Sequence, residues 1–237
     1  MAPTRSLNRE LEGELDKIMS FWEECRPFSA GVEYAMKFIK ISVASLNTKQ
    51  ASDKQKQKIY DKIDYIISER IISADETIKE QGLSLFTGTE EDVILTFGGV
   101  QLLEMVFKEA HEKRMNFRVI VADAGPEFEG RDLVRRLSAA GIKVTYVLLT
   151  GVSFLIDKVT KVFLGASSVL SNGAIVAKVG NSMLATIAKR HQKPVVVFSE
   201  TYKFSDRVNL DPININEIGD PQSLAAYCVH KNVSRWY

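Results

Sequence analysis

Two carboxylates stand where they could act as an acid or a base. Asp123 and Glu200 each follow a short apolar run that is typical of a β-strand, and α/β proteins carry their chemistry at strand ends. The histidines His111, His191 and His230 lack metal-ligand spacing, and neither a Ser/His/Asp arrangement nor a G-x-x-x-x-G-K phosphate loop is present. An aspartate after a strand is more often a helix N-cap than a catalyst, so these residues alone are weak evidence for an enzyme.

Glycines at the strand ends indicate a second kind of chemistry. Glycine follows four of the five predicted strands, at Gly98-Gly99, Gly125, Gly151 and Gly165. Backbone N–H groups approach an anion closely at glycine, and a helix that begins there favours phosphate. Glycine is also the default residue of tight turns. On the motif alone, we favour tight turns over anion binding at about two to one.

Helical periodicity dominates the first third of the chain. Apolar residues recur every three or four positions from Leu7 to Phe21 and predict a first helix. Ser29 is a candidate N-cap for a second helix over about 30–46. The polar residues 47–57 predict a surface linker, and an isoleucine-rich amphipathic pattern predicts a third helix over about 59–85.

The pattern then alternates between short apolar runs and helical stretches. The apolar runs predict five strands, over residues 93–97, 118–123, 144–149, 161–165 and 194–198. Helices are predicted between them over residues 101–113, 130–140, 152–157 and 183–191, with Gly141 ending the second of these. Continuous apolar strands separated by helices predict an α/β fold with a parallel sheet that is covered on both faces.

Composition argues against several classes of protein. The 237 residues carry a formal net charge of +1 and are 45% hydrophobic, which argues against a basic nucleic-acid binder and against disorder. The two cysteines, Cys25 and Cys228, make no disulfide framework and favour a reducing compartment. The sequence shows no apolar signal core and no membrane-spanning run. We therefore predict a cytosolic protein that binds neither nucleic acid nor a membrane.

Six motifs occur in an order that resembles a known superfamily. They read Arg26-Pro-Phe-Ser29, Ile94-Leu-Thr-Phe-Gly98, Asp123-Ala-Gly-Pro-Glu-Phe-Glu-Gly-Arg131, Gly165-Ala-Ser-Ser-Val-Leu-Ser-Asn-Gly173, Val179-Gly180-Asn181 and Glu200-Thr-Tyr-Lys-Phe204. This order resembles the superfamily shared by methylthioribose-1-phosphate isomerase, ribose-1,5-bisphosphate isomerase and the regulatory subunits of eukaryotic translation initiation factor 2B. Within it, the last motif and the segment 170–180 resemble the delta subunits. The resemblance runs from about Leu7 to about Ser223.

The reactive groups that the resemblance to the isomerases would require are missing. The isomerases carry a histidine-cysteine pair after the first strand, matched here by Phe97 and Gly98, and an Asn-Gly-Asp matched by Asn172-Gly173-Ala174. Where the isomerases have the aspartate of a Gly-Ala-Asp motif, this chain has Ser167. Where they have an arginine after the second strand, this chain has Gly125. A proton shuttle needs titratable groups within hydrogen-bond reach of the substrate, which glycine and alanine do not supply. The comparison implies a protein that is not an enzyme and needs no cofactor and no metal.

The resemblance implies instead a regulatory subunit of the complex that exchanges GDP for GTP on initiation factor 2. Its partners would be the alpha, beta, gamma and epsilon subunits of factor 2B, and initiation factor 2, especially its phosphorylated alpha subunit. Exchange itself resides in the epsilon subunit. Arg9 and Glu69 match positions of the family's phosphorylation-sensing surface, and Arg70 lies beside Glu69. The alternative is that these charged residues belong to a solvated helix face with i,i+4 ion pairs, and we give the two interpretations about even odds. We also expect the α/β half to carry the subunit interface.

Some positions that match the substrate-binding site of the isomerases are kept in this sequence, and they predict a residual anion pocket. Its residues are Gly98, Gly99, Gly130, Arg131, Asn172 and Gly173. Because one phosphate-binding charge is lost, we expect weak or absent binding of sugar phosphates. A sugar-phosphate isomerase or sugar-phosphate-binding protein with a rearranged site is the alternative function. A fragment that binds partners without supporting regulation is a third.

Two domains are predicted from these patterns. Residues 1–88 form an N-terminal helical domain, and residues 89–237 form a Rossmann-like α/β domain. Relative to the family the α/β domain is C-terminally incomplete, because the chain diverges after Leu224. We expect missing strands to expose an edge of the sheet.

Overall fold

The chain folds into two compact units, each built from separate segments. The computed structural model describes residues 7–46, 52–88, 90–208, 219 and 221–222. One unit comprises residues 1–82, 166–177 and 199–206, and the other comprises residues 83–165, 178–198 and 207–237. We call them the helical unit and the sheet unit. The single domain boundary between residues 88 and 89 stays a prediction, and the strands predicted to be missing after Leu224 fall outside the described residues.

Helices and strands follow one another in nearly the predicted order. The helices are α1 (Leu7–Cys25), α2 (Ala30–Ala44), α3 (Ser52–Tyr65), a π-helix (Ile66–Ile72), α4 (Ser73–Leu83), α5 (Gln101–Glu112), α6 (Gly130–Ala139) and α7 (Asn181–Arg190). The strands are β1 (Asp92–Phe97), β2 (Phe117–Asp123), β3 (Val144–Leu148), β4 (Lys161–Gly165), β5 (Ser168–Leu170), β6 (Ile175–Val176), β7 (Val195–Phe198) and β8 (Phe204–Ser205). Short 3-10 turns span Leu149–Phe154, Ile156–Lys158 and Thr201–Lys203.

A five-stranded parallel sheet forms the centre of the sheet unit. Its strands lie in the order β3-β2-β1-β4-β7, and each neighbouring pair is parallel. The predicted class, an α/β fold with helices followed by a parallel sheet, is confirmed. This strand order reverses the winding direction between β1 and β4, where open α/β sheets commonly bind ligands.

The alternation of side chains along the central strands builds two cores. Every residue of β1 is buried. On one face of the sheet, Leu95 and Phe97 join Leu184 of α7 in a single cluster. On the other face, Phe107 of α5 stacks on Phe163 of β4 with 6.3 Å between the ring centroids. The sheet is therefore covered on both faces, which explains why its strands read as continuous apolar runs.

Packed helices form most of the helical unit. α1 packs against α2, and α2 packs against α3. Ser29 is the N-cap of α2, as predicted, and its hydroxyl oxygen accepts a hydrogen bond from the Val32 amide at 3.5 Å. A small sheet with the strand order β6-β5-β8 completes the unit. This sheet was not predicted, because strands of two or three residues carry no periodic signal.

Three of the predicted regions differ in detail from the structure. Residues 47–51 of the predicted linker lie outside the described residues, but Ser52 already begins α3, in which Gln55 is buried. Because polar residues occur both in solvated helices and in loops, the prediction starts this helix at about residue 59, whereas the structure starts it at Ser52. The predicted third helix also contains the π-helix, where the Ser73 amide donates to the Ser68 carbonyl. The helix predicted over 152–157 is a pair of 3-10 turns.

A buried carboxylate holds the amino end of the sheet together. Asp92, at the start of β1, accepts hydrogen bonds from the amide and hydroxyl of Thr87 at 2.6 and 2.9 Å. The ammonium of Lys161 lies 3.0 Å from its other oxygen and also donates to the Leu85 carbonyl at 2.6 Å. Burial alone would raise the pKa of Asp92, but the hydrogen bonds from Thr87 and Lys161 outweigh it and leave the pKa below its usual 3.8.

Replacing this carboxylate should destabilise the sheet unit. We expect Asp92→Asn to lower the free energy of unfolding by about 2–3 kcal/mol at neutral pH, because Lys161 loses a buried anion. Since the folded pKa is lowered, the stabilisation is present above pH 3.8 and is lost as the pH falls through the folded pKa. Denaturant unfolding followed by hydrogen exchange in β1 and β4 measures the effect. Asp132→Asn, which breaks only an exposed pair with Arg135, is the control, and an equal effect of both variants would contradict the assignment.

Candidate functional site

Apolar side chains lie at the carboxyl ends of the strands where the sheet reverses its winding direction. Phe97 ends β1, and its ring contacts the α-carbon of Gly180 so closely that an added methyl group would lie 2.3 Å from the ring. Val100 packs in the same way on Gly165 at the end of β4, where a methyl group would lie 2.7 Å away. Only glycine allows side chains to approach the backbone this closely. These contacts favour packing over anion binding at this place.

The two glycines after β1 are engaged in the protein's own contacts. The amide of Gly98 donates to the carbonyl of Ala122 at 2.9 Å, so it is not directed at a ligand. A methyl group on Gly99 would lie 2.9 Å from the carbonyl oxygen of Glu129, which shows how closely the two backbones pack. The Glu129 carboxylate forms an ion pair with Lys178. Gly98 and Gly99 thus serve a turn and a close backbone contact.

Asp123 and the arginine of the predicted pocket both act on one tyrosine. The hydroxyl of Tyr146 donates to the buried Asp123 carboxylate at 3.0 Å. Burial raises the pKa of Tyr146, nearby Arg131 lowers it, and Asp123 raises it further. The Arg131 guanidinium also lies 4.2 Å from the centroid of the Phe128 ring. A methyl group on Gly130 would lie 2.8 Å from the Asp123 carboxylate, so this glycine is required by packing.

The role expected for Asp123 as a helix N-cap is wrong. The N-cap of α6 is Glu129, and Asp123 instead accepts hydrogen bonds from Tyr146 and from the Ala124 amide at 3.0 Å. Sequence reasoning missed Tyr146 because it lies on the edge strand β3, one strand away from the motif. The pairing of β2 with β3 brings the two side chains together.

Two members of the predicted anion pocket form a tight turn in the helical unit. Asn172 and Gly173 are exposed between β5 and β6. The side-chain oxygen of Asn172 accepts from the Ala174 amide at 3.0 Å, and the Gly173 amide donates to the Leu170 carbonyl at 2.9 Å. The other four members, Gly98, Gly99, Gly130 and Arg131, belong to the sheet unit. That all six form one anion site stays a prediction.

A second strand-end carboxylate, Glu200, belongs to a charged cluster that was not predicted. Glu200 is buried, accepts a hydrogen bond from the Tyr202 hydroxyl at 3.2 Å and pairs with the Lys203 ammonium at 2.7 Å. Burial and the neighbouring Glu200 carboxylate raise the pKa of Tyr202 to about 12. Asp75 of α4 also interacts with Glu200 and Lys203, and its buried Oδ1 has no hydrogen-bond partner among the described residues. Two carboxylates therefore share one ammonium.

The residues predicted to sense phosphorylation are all exposed and all belong to the helical unit. Arg9 lies on α1, and Glu69 and Arg70 lie on the π-helix. π-Helical stretches are rare and occur frequently at functional sites, because the extra residue per turn changes which side chains face outward. This location is compatible with a binding surface, and the sensing role stays a prediction.

The described residues offer no helix with the length and apolar content needed to cross a membrane. Within the same ranges, no group of three or more histidine, cysteine, aspartate or glutamate side chains is placed to hold a metal ion. His191, for example, lies 3.1 Å from Asp157 alone, which is the geometry of a surface pair.

Comparisons with known proteins place these features in a family context. Residues 3–235 match the model of the Initiation factor 2 subunit family. Translation initiation factor eIF2B subunit delta from Dictyostelium discoideum is 37% identical over 234 residues, which cover 99% of this chain and 37% of that protein. The corresponding delta subunit from Schizosaccharomyces pombe is 32% identical over 219 residues, covering 92% of this chain and 46% of that protein. This chain therefore spans less than half the length of these curated relatives.

A solved structure shows the same fold. The crystal structure of the tetrameric eIF2B-beta2-delta2 complex from C. thermophilum contains a chain that matches with a TM-score of 0.86 and 30% identity, covering 94% of this chain and 71% of that chain. The resemblance to initiation factor 2B regulatory subunits that the motifs predicted is confirmed. Its predicted end near Ser223 is wrong, because the family match continues to residue 235.

Removing the charge of Asp75 should stabilise the helical unit at neutral pH. Burial raises the pKa of Asp75, the Glu200 charge adds to the increase, and Lys203 opposes it. Since the folded pKa is raised, stability is lost as the pH rises through that pKa. We expect Asp75→Asn to raise the thermal midpoint at pH 7, with the gain shrinking toward pH 3.8. Glu80→Gln, at an exposed position on the same helix that does not contribute to the raised pKa of Asp75, is the control. A lowered midpoint for Asp75→Asn at pH 7 would show that the carboxylate stabilises the cluster.

Sugar phosphates should bind the full chain weakly or not at all. Gly125 stands where the isomerases that this sequence resembles carry an arginine, and losing that charge-assisted contact costs about 1.5–3 kcal/mol, a factor of about ten or more in affinity. The remaining Arg131 lies over the Phe128 ring. Calorimetric titration with ribose-1,5-bisphosphate measures this. Binding at micromolar concentration that disappears in Arg131→Ala, but persists in Arg135→Ala on the same helix, would identify a functional ligand site and refute the prediction.

Proposed function

Because this chain belongs to the initiation factor 2 subunit family, we propose that it is a non-catalytic regulatory subunit of the delta type in the complex that exchanges guanine nucleotide on translation initiation factor 2. The observation that carries the proposal is the similarity to two delta subunits, which covers 99% and 92% of the chain. The apolar contact of Phe97 with Gly180 supports the non-catalytic role, since it fills a position at which the related isomerases carry a titratable pair.

The proposed partners are the other subunits of factor 2B: alpha, beta, gamma and epsilon. The similar crystal structure is a tetramer of beta and delta chains, which supports association with a beta subunit. We place the subunit interface on the sheet unit and the catalysis of exchange on the epsilon subunit. Action in the cytosol follows from the same proposal.

A second part of the proposal is recognition of initiation factor 2 through the helical unit. Arg9, Glu69 and Arg70 form the proposed sensing surface for the phosphorylated alpha subunit of that factor. A phosphoserine carries nearly two negative charges and is met well by the planar donors of arginine. The exposure of all three side chains and the π-helix under Glu69 and Arg70 support this assignment.

Exchange assays on complexes assembled with this subunit test the proposal. Arg9→Ala complexes should keep their basal exchange rate but need about ten times more phosphorylated factor for half-maximal inhibition, because a charge-assisted contact is lost. Glu69→Lys complexes should also resist inhibition, because the substitution reverses a charge that the proposed surface offers to basic groups of the factor. Arg135→Ala and Glu112→Lys change the same residue types at exposed positions of the sheet unit and should leave inhibition unchanged.

Two results would count against this function. Full inhibition in both helical-unit variants would remove Arg9 and Glu69 from the sensing surface. Turnover of methylthioribose-1-phosphate or ribose-1,5-bisphosphate at an enzyme-like rate would favour the isomerase alternative and overturn the non-catalytic assignment.

A further inference from the structure

One continuous helix of the helical unit contains a single turn of different geometry. α3 (Ser52–Tyr65) leads directly into the π-helix (Ile66–Ile72), which leads directly into α4 (Ser73–Leu83). At the end of the π-helix, the Ser73 amide donates to the carbonyl of Ser68, which lies five residues earlier instead of the four of an α-helix. This is the form of a π-bulge, in which an α-helix accommodates one extra residue.

Burial of apolar side chains does not account for the extra residue. The π-helix carries four isoleucines, of which only Ile66 is buried, whereas Ile67 is 45% exposed, Ile71 39% and Ile72 58%. The core therefore gains little from this turn. Since π turns are rare and occur frequently at functional sites, the geometry points to a role at the surface of the helix.

The π geometry decides which side chains share a face of the helix. Ile66 and Ile71 both line one cavity of the helical unit, which Tyr202 also lines. Residues five apart in an α-helix point about 140° away from each other, whereas i→i+5 hydrogen bonds bring them toward the same side. Glu69 and Arg70 lie between the two isoleucines in the chain and are exposed.

The extra residue therefore sets the direction of Glu69 and Arg70. One residue of an α-helix contributes about 100° of rotation. With one residue fewer and the flanking helices in place, side chains in the middle of the segment turn by roughly half of that angle. Such a turn moves the tip of an arginine by several ångströms, whereas a hydrogen bond to phosphate requires a separation of about 2.7–3.2 Å.

We propose that the π-helix is the positioning element of the phosphorylation-sensing surface, because its extra residue directs Glu69 and Arg70 at the angle that the phosphorylated alpha subunit of initiation factor 2 requires. This inference rests on the proposed function and adds to it the backbone feature that orients the charged groups. The exposed Ile67 and Ile72 of the same turn supply apolar contact area, which suits a protein partner better than free phosphate.

Deletion of Ser68 tests the proposal, with Ser68→Ala as the matched control. Ser68 is exposed, and its hydroxyl donates to the Tyr65 carbonyl at 3.3 Å. Both variants lose this hydrogen bond, but only the deletion removes the extra residue. We expect complexes with the deletion to keep their basal exchange rate and to need about ten times more phosphorylated factor for half-maximal inhibition. Complexes with Ser68→Ala should behave as wild type.

Deletion of Ile72 is a second variant, on the other side of the charged pair. It also shortens the segment by one residue, but it turns Glu69 and Arg70 in the opposite direction. It should therefore weaken inhibition as well. The thermal midpoint of the chain and its assembly with the beta subunit, measured by sedimentation, should stay unchanged in all three variants.

The remaining outcomes separate this inference from the proposed function. Full inhibition in both deletion complexes overturns the inference and leaves the proposed function standing. Wild-type complexes that phosphorylated factor does not inhibit overturn both. Resistance of Ser68→Ala as large as that of the deletion assigns the effect to the hydroxyl and overturns the role of the extra residue. Unfolding or failed assembly of both deletion variants assigns the extra residue to folding and also overturns the inference.

Discussion

Burial of the central strand on both faces is the constraint on which the rest of the sheet unit depends. Every residue of β1 is covered, so the strand must end on a side chain that packs. Phe97 meets this requirement by lying against Gly180, which is the N-cap residue of α7. An ionisable pair at the same place would need partners to offset its desolvation. In this chain the strand end is occupied by an apolar side chain that packs and has no titratable group, and this links the packing to the proposed non-catalytic role.

The two strand-end carboxylates show how the fold accommodates buried charge. Asp123 accepts a hydrogen bond from Tyr146, and Glu200 accepts one from Tyr202 and pairs with Lys203. In each case a tyrosine hydroxyl satisfies a buried oxygen that would otherwise lose its hydration. Both groups are held in structural contacts, which agrees with a protein proposed to act through its surfaces.

Each unit offers both charged and apolar surface. The helical unit exposes the charged residues Arg9, Glu69 and Arg70 as well as large apolar side chains such as Phe21 and Ile41, and the sheet unit exposes Phe154 and Val179. Charged surfaces suit a regulated contact with a phosphorylated partner, because the interaction is strengthened by added charge. Apolar surfaces suit a lasting contact between subunits, because burying them yields stability that does not depend on modification.

The sequence by itself determined the order and type of most elements. Helices and buried strands each give a characteristic spacing of apolar residues, and that spacing can be recognised within a short stretch of sequence. It also determined the family, through motifs that lie on those elements in a set order. It did not determine the π-helix or the two-residue strands, whose signals are too short, or the start of α3, whose polar residues face water from a helix. Only the tertiary structure decided that Asp75 meets Glu200 and that Tyr146 meets Asp123, since these partners are distant along the chain. It also decided that Phe154 is exposed while Ile156 is buried, because exposure depends on which neighbours the fold brings to each side chain.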